Sequence, residues 1–312
     1  MAAILNNYYL QILTLICLHG LLGLSVYLVY STGQLTLGNA GFMAIGAYAA
    51  ALLALRGGLP VWLSIPAGAL LAALVAVPLG YAGLRLRGVY LAVATLGFSQ
   101  SVMVVAQNLT ITGGAMGLNN IPNINMMVQK AFSHAMDEAP MGLKFSQLAS
   151  LTVFLLMLLI LLLAFFFVLR QGRSRVGQAF AAIRTDEVAA GAMGINTTYY
   201  KVLAFAQGAF LAGLAGGLSA HTTFAIAPGN FDFNRAVEML TYVVVGGSGL
   251  PLGAVFGAVV LDVISEGLRD VTLFGVSMTE YRFILFGLLM MLVMALRPQG
   301  LLSRRRRKGV AA

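Results

Sequence analysis

The chain alternates long apolar runs with short polar ones. Nine apolar runs stand out, at 8–30, 41–56, 60–81, 88–107, 148–169, 202–222, 237–250, 251–268 and 281–296. Run 148–169 carries no charge and is apolar on every face, so its length marks it as a spanning helix, which needs about 20 residues. Runs 41–56 and 237–250 are short for a bilayer, hence tilted, joined to a neighbouring broken helix, or re-entrant. The pattern predicts an all-α, polytopic integral membrane protein with about nine crossings, in a range of eight to ten, and glycine-rich broken or re-entrant helices. Residues 1–303 read as one transmembrane domain and 304–312 as a basic cytoplasmic tail.

Composition agrees with that pattern. The 312 residues are 60% hydrophobic and 9% charged. A soluble domain carries about 25% charged residues, so most of this surface must face lipid. The segment before the first run has no basic residue, so that run reads as a retained helix and not a signal peptide. Cys17 is the only cysteine and reads as a small buried hydrophobe.

The net charge is +9, and its placement points to topology and lipid headgroups, not to nucleic acid. Arg85, Arg87, Arg170, Arg173, Arg175, Arg184, Lys201, Arg297 and the tail fall in loops that alternate to one side. Arg56, Lys130, Lys144, Arg235, Arg269 and Arg282 fall on the other. The positive-inside rule makes the richer side cytoplasmic, with the C-terminus inside and the N-terminus outside. Loops 108–147, 223–236 and 269–280 are then outside. Because 237–268 is flanked by outer loops, the chain must enter and return, reversing at Gly246-Gly247-Ser248-Gly249-Leu250-Pro251.

Four segments carry candidate chemistry. Ser31 to Gly41 is polar, glycine-rich and uncharged between two spans, so it is either an ordinary short loop or a broken helix lining a pathway. Its Leu35-Thr36-Leu37-Gly38 has a counterpart in Leu250-Pro251-Leu252-Gly253, and paired interruptions in a transporter point to the substrate route. In the outer loop, Thr112, Gly113 and Gly114 either present backbone amides to a ligand or form a plain turn. In the inner loop, Thr185 or Asp186 can cap a short helix with Glu187 in its first turn. That helix, carrying Val188, Ala189, Ala192 and Met193, suits either docking to a soluble partner or lying on headgroups.

Asp262, Glu266 and Arg269 read as an interfacial charge cluster or a buried proton relay, His19 as a hydrogen-bonded interior residue or a functional switch, and His221 as interfacial. The sequence shows no metal-ligand constellation, no nucleophile–base pair and no phosphate-binding GxxxxGKS/T loop.

Taken in order, these segments resemble the bacterial branched-chain amino acid permease family of ABC importers. The marks are Gly33-Gln34-Leu35-Thr36-Leu37-Gly38-Asn39-Ala40-Gly41-Phe42, Leu86-Arg87-Gly88-Val89-Tyr90-Leu91-Ala92 with Thr95 and Gly97-Phe98, and Thr112-Gly113-Gly114 with Gly117. Asp186-Glu187 to Gly194-Ile195, Val245 to Gly249 and Leu296-Arg297-Pro298-Gln299-Gly300-Leu301 complete them. The second motif is similar to the M-type subunit. Gln100 stands where the family often has an acidic residue.

The resemblance implies a permease that performs no chemistry and binds no cofactor. A second related permease subunit, two cytoplasmic ATPases carrying ATP and magnesium, and an extracytoplasmic substrate-binding protein would complete the importer in the bacterial inner membrane. It places the translocation path at Gln34, Thr36, Asn39, Thr95, Gln100, Gly246, Gly247 and Ser248. It places ATPase coupling at Arg184, Asp186, Glu187 and Gly194. Urea or short amides are an alternative cargo. An ion-coupled carrier is the alternative class, and it requires a buried mid-span carboxylate, which runs 41–56, 60–81, 88–107, 148–169 and 202–222 do not contain.

Overall fold

The computed structural model describes residues 7–83, 86, 88–135, 145–269, 272–273, 276–277, 282–297 and 300–302. Arg85, Arg87, Lys144, Pro298, Gln299 and the tail 304–312 lie outside them. The main helices are α1 (Asn7–Tyr30), α2 (Asn39–Leu55), α3 (Val61–Gly83), α4 (Val89–Asn108), α5 (Ile124–Ala135) and α6 (Phe145–Gly172). They continue with α7 (Arg175–Thr185), α8 (Glu187–Ala192), α9 (Thr197–Thr223), α10 (Phe233–Gly246), α11 (Pro251–Gly267) and α12 (Arg282–Leu296). Ahead of α12, two antiparallel two-residue strands, Thr272–Leu273 and Val276–Ser277, leave the all-α class unchanged.

Helices occupy all nine apolar runs among the described residues, and their lengths differ. Five helices (α1, α3, α4, α6 and α9) are long and apolar enough to span, and α10 with α11 makes six if that bent pair is one span. The reason is length. At 1.5 Å per residue, the 17 residues of α2 reach about 26 Å, short of a hydrocarbon core of about 30 Å. The α10–α11 pair bends by 116° at the glycine-rich break, as the glycines and proline there predict.

Helix α6 shows how an all-apolar sequence acquires an inside. Ala149, Val153, Met157, Leu161, Ala164 and Val168 recur every three or four residues and are buried. Leu155, Leu159, Leu163 and Phe166 point outward, where only lipid or a partner could cover them. Small residues bring the central helices together. A side chain at Gly46 of α2 would run into the backbone of Gly213 in α9, and one at Gly216 would strike the Met43 carbonyl.

The two ends of the bundle are distinct. At one end Leu118 and Ile226 exchange backbone hydrogen bonds of 2.9 and 3.0 Å, joining the loop after α4 to the loop after α9. The Tyr8 hydroxyl donates to Glu266 at that end, tying the start of α1 to the end of α11. At the other end lie segment 31–38, helices α7 and α8, the α10–α11 break and residues 300–302. Among the described residues, the loops after α4 and α9 share one end and 170–201 lies at the other, as the charge pattern grouped them.

Candidate functional site

Two regions concentrate polar groups inside this apolar bundle, one near each end.

The first is built around the α10–α11 break. Gly247 has a φ of 117°, a backbone setting that favours glycine. Carbonyls freed at the end of α10 need donors, because lipid offers none. The amides of Leu301 and Leu302 donate to Val245 and Gly246 at 3.0 and 2.9 Å. The Arg184 guanidinium, at the end of α7, donates to the Ser248 carbonyl at 3.2 Å and lies 4.8 Å from the Tyr30 ring centroid. A Cβ at Gly33 would sit 3.3 Å from the Arg184 Cα. Arg184 therefore bridges the end of α1, the break and the inner-loop helices.

Segment 31–38 is non-helical and partly buried, with Thr32, Gln34, Thr36 and Gly38 buried and Gly33 exposed. Thr36 Oγ1 accepts from the Gly38 amide at 3.1 Å, and Asn39 Nδ2 donates to the Ser25 hydroxyl of α1 at 2.9 Å. Thr95 Oγ1 accepts from the Leu37 amide at 3.1 Å, and Thr32 Oγ1 donates to Gln34 Oε1 at 3.3 Å. Gln34, Thr36, Asn39 and Thr95 are all buried. The inner surfaces of α2 and α4 also hold unpartnered polar atoms among the described residues: Asn39 Oδ1, Ser99 Oγ and Gln100 Nε2. Gly246, Gly247 and Ser248 reach this segment only indirectly, with Arg184 between them and Gly33.

The inner-loop helices are capped as the sequence predicts. Asp186, and not Thr185, caps α8, accepting from the amides of Val188 and Ala189 at 2.8 and 3.0 Å. Thr185 instead donates back to Ala181 within α7. Glu187 pairs with the buried Lys201 of α9 at 2.5 Å. Gly194, with φ of 85°, follows α8 in the left-handed conformation. Ala190 packs inward, whereas Val188 and Met193 are 72% and 83% exposed, an apolar tip left uncovered by the described residues.

The outer loop resolves as a turn. Thr112 is buried and its hydroxyl donates to the Ala106 and Leu109 carbonyls. The amides of Gly113 and Gly114 are taken by Thr110 and Leu109, so they do not face a ligand.

The second region was missed by the apolar runs. A cavity of about 720 Å³ opens between α1, α10 and α11. At its floor, His19 Nδ1 lies 2.7 and 2.9 Å from the two carboxylate oxygens of Asp262. Arg235 Nη1 lies 3.2 Å from His19 Nε2 and donates to Glu238 at 2.9 Å. The geometry fits a ring protonated on Nδ1, donating to Asp262 and accepting from Arg235. Tyr242 stacks on His19, with centroids 5.5 Å apart.

His19 is the thirteenth residue of α1, about 18 Å from its first. Each Arg or Asp held at the middle of a spanning helix costs about 2.5–3.5 kcal/mol, so such residues face partners or water-filled cavities. Asp262 therefore meets His19 in the same cavity that Glu266 and Arg269 line. Glu266 and Arg269 remain at the more exposed rim, 3.6 Å apart. The sequence placed Arg235 in an outer loop and gave Glu238, inside run 237–250, no role. The cap at Asp232, which accepts from the Arg235 amide at 3.0 Å, starts α10 four residues earlier. His221, two residues before the end of α9, is fully buried within the protein there, its Nδ1 donating to the Pro122 carbonyl at 2.8 Å, with Nε2 3.4 Å from Ser64.

An all-α polytopic bundle, with a broken helix pair tied to a short capped helix at one end and a charged cavity at the other, defines a membrane permease subunit. A family model described as the permease component of branched-chain amino acid transport systems matches residues 8–294. The chain belongs to this family. It is 36% identical over 306 residues to the high-affinity branched-chain amino acid transport system permease protein LivM of Escherichia coli (strain K12), covering 95% of this chain and 70% of that protein. Against LivH of the same organism, identity is 34% over 131 residues, 42% of this chain and 41% of that one. BraD of Pseudomonas aeruginosa is 36% identical over 133 residues, 42% and 41% of the two chains. No solved structure matches. The near full-length likeness to LivM agrees with the M-type motif.

Proposed function

We propose that the chain is the M-type permease subunit of an ABC importer and forms, with a second related permease subunit, the membrane path for branched-chain amino acids. An extracytoplasmic binding protein delivers the substrate to the end that holds the charged cavity. Two cytoplasmic ATPases bind at α7 and α8 and hydrolyse MgATP; this chain binds no cofactor. The α7–α8 end and the C-terminus face the cytoplasm of the inner membrane, in line with the basic residues 170–201.

The observation that carries this reading is the Arg184 bridge. A partner that moves α7 and α8 moves a guanidinium bonded to the Ser248 carbonyl. The exposed Val188 and Met193 supply an apolar contact for that partner. Gln34, Thr36, Asn39, Thr95, Gln100 and the break at Gly246–Ser248 line the route close to this end, where the unpartnered Asn39 and Gln100 atoms await polar cargo or a facing subunit. Thr112, Gly113 and Gly114 hold the shape of the outer loop.

The test is uptake by proteoliposomes holding this chain, an H-type subunit and both ATPases, with binding protein outside and ATP inside. Leucine, isoleucine and valine are expected to accumulate only with ATP. Uptake of urea in their place would change the cargo. Uptake driven by an ion gradient without ATP would refute the importer.

A further inference from the structure

The geometry points to the cavity between α1, α10 and α11 as an intramembrane binding site for a zwitterionic α-amino acid, with Arg235 receiving the α-carboxylate and Asp262 and Glu238 receiving the α-ammonium. This deepens the proposed function and rests on it.

Three observations carry the assignment. The first is bipolarity. Two carboxylates flank one guanidinium and one imidazole in a chain of contacts, Glu238–Arg235–His19–Asp262, that ends in an acid on both sides. Such a row attracts an ammonium to its ends and a carboxylate to its centre. A purely acidic or basic cavity would select an ion of one sign instead.

The second is unused capacity. Arg235 Nη1 serves both Glu238 and His19, while Nε is buried with no acceptor among the described residues. A guanidinium is a fork of five donors suited to a carboxylate, and an internal network that served only to hold the helices together would be expected to use them. Asp232 accepts from the Arg235 amide and from Asn234, and among the described residues it takes no hydrogen bond from the Arg235 Nε.

The third is the wall. Ile12 and Leu15 of α1 line the same cavity, and Leu15 is 45% exposed. They offer an apolar strip beside the charged floor, suited to an aliphatic side chain. The volume of about 720 Å³ lies within the range of roughly 300–1,000 Å³ usual for small-molecule sites. Space is left over, as suits a site from which the ligand must depart.

The experiment uses the assembled importer in detergent without its binding protein, labelled with a diazirine analogue of leucine. Labelling is expected on the α1 peptide containing Ile12 and Leu15. Leucine should compete, whereas 4-methylpentanoate and isopentylamine, each carrying one of the two charges, should compete at least about tenfold less well, since each forgoes one set of charge-assisted bonds. Arg235→Gln should abolish the labelling, and Glu238→Gln should reduce it. Arg235→Lys, which keeps the charge and loses the fork, should assemble and label weakly, so a variant that fails to assemble does not end the test. Equal competition by isopentylamine would make the site a cation site and overturn the proposal. Labelling that is absent, or unchanged in both Arg235 variants, would also overturn it. Wild-type ATP-driven leucine uptake is read in parallel. Normal uptake without labelling removes this site alone, and no uptake of branched-chain amino acids removes the proposed function.

Discussion

At the scale of single residues, the bundle depends on side chains that are missing. Gly216 of α9 faces the Met43 carbonyl so closely that any Cβ must displace backbone. Overpacking of this kind costs about 1–3 kcal/mol, and more where backbone must move. Gly216→Leu should therefore lower the thermal midpoint of the purified protein in detergent by several degrees or prevent its accumulation. Gly97→Leu on α4, where a Cβ meets nothing, is the matched control and should leave the midpoint unchanged. The Glu187–Lys201 pair makes the opposite case, in which a side chain is needed to satisfy another. Lys201 is buried, and Glu187→Gln would leave its ammonium facing an amide. An unsatisfied buried polar group costs about 1–3 kcal/mol, so this variant should be less stable, and adding Lys201→Met should restore stability in the same thermal assay. Composition made the glycines conspicuous, but which of the 36 lie at close contacts emerged only from the packing.

At the scale of elements, the break between α10 and α11 and the α7–α8 pair form one connected unit. Local signals foretold each half: glycines and proline for the break, and Asp186 with Glu187 for the capped helix. Their connection was not foretold, because Arg184 and Ser248 are 64 positions apart and nothing in either segment specifies the other. A hydrogen bond to a charged group contributes about 1.5–3 kcal/mol, so Arg184→Ala should slow ATP-driven uptake by about tenfold or more. The ATPases should still co-purify, since Val188 and Met193 are untouched. Loss of ATPase co-purification together with uptake would place Arg184 in the docking contact itself, and normal uptake would show that the bridge carries no coupling.

For the molecule as a whole, the prediction is one of sidedness. In a Cys17→Ala background, single cysteines at Ser133 on α5 and at Arg173 after α6 should react with an impermeant thiol reagent from opposite faces of the membrane. Both positions are exposed, and Ser174 is avoided because its hydroxyl caps α7. Labelling of both from one face would overturn the topology. The sequence by itself determined the class, the apolar runs, the grouping of loops and the site of the re-entrant bend, since each follows from hydrophobicity, charge and chain-breaking residues read locally. Tertiary structure alone decided which charged side chains meet. His19 and Asp262 are 243 positions apart, and they meet because α11 returns antiparallel to α1 from the break. A run of apolar residues fixes that a helix enters the membrane, but the offset between two helices is set by which glycines let their backbones touch. That offset turns a lone histidine, an arginine assigned to a loop and an aspartate assigned to an interfacial cluster into one partly buried network.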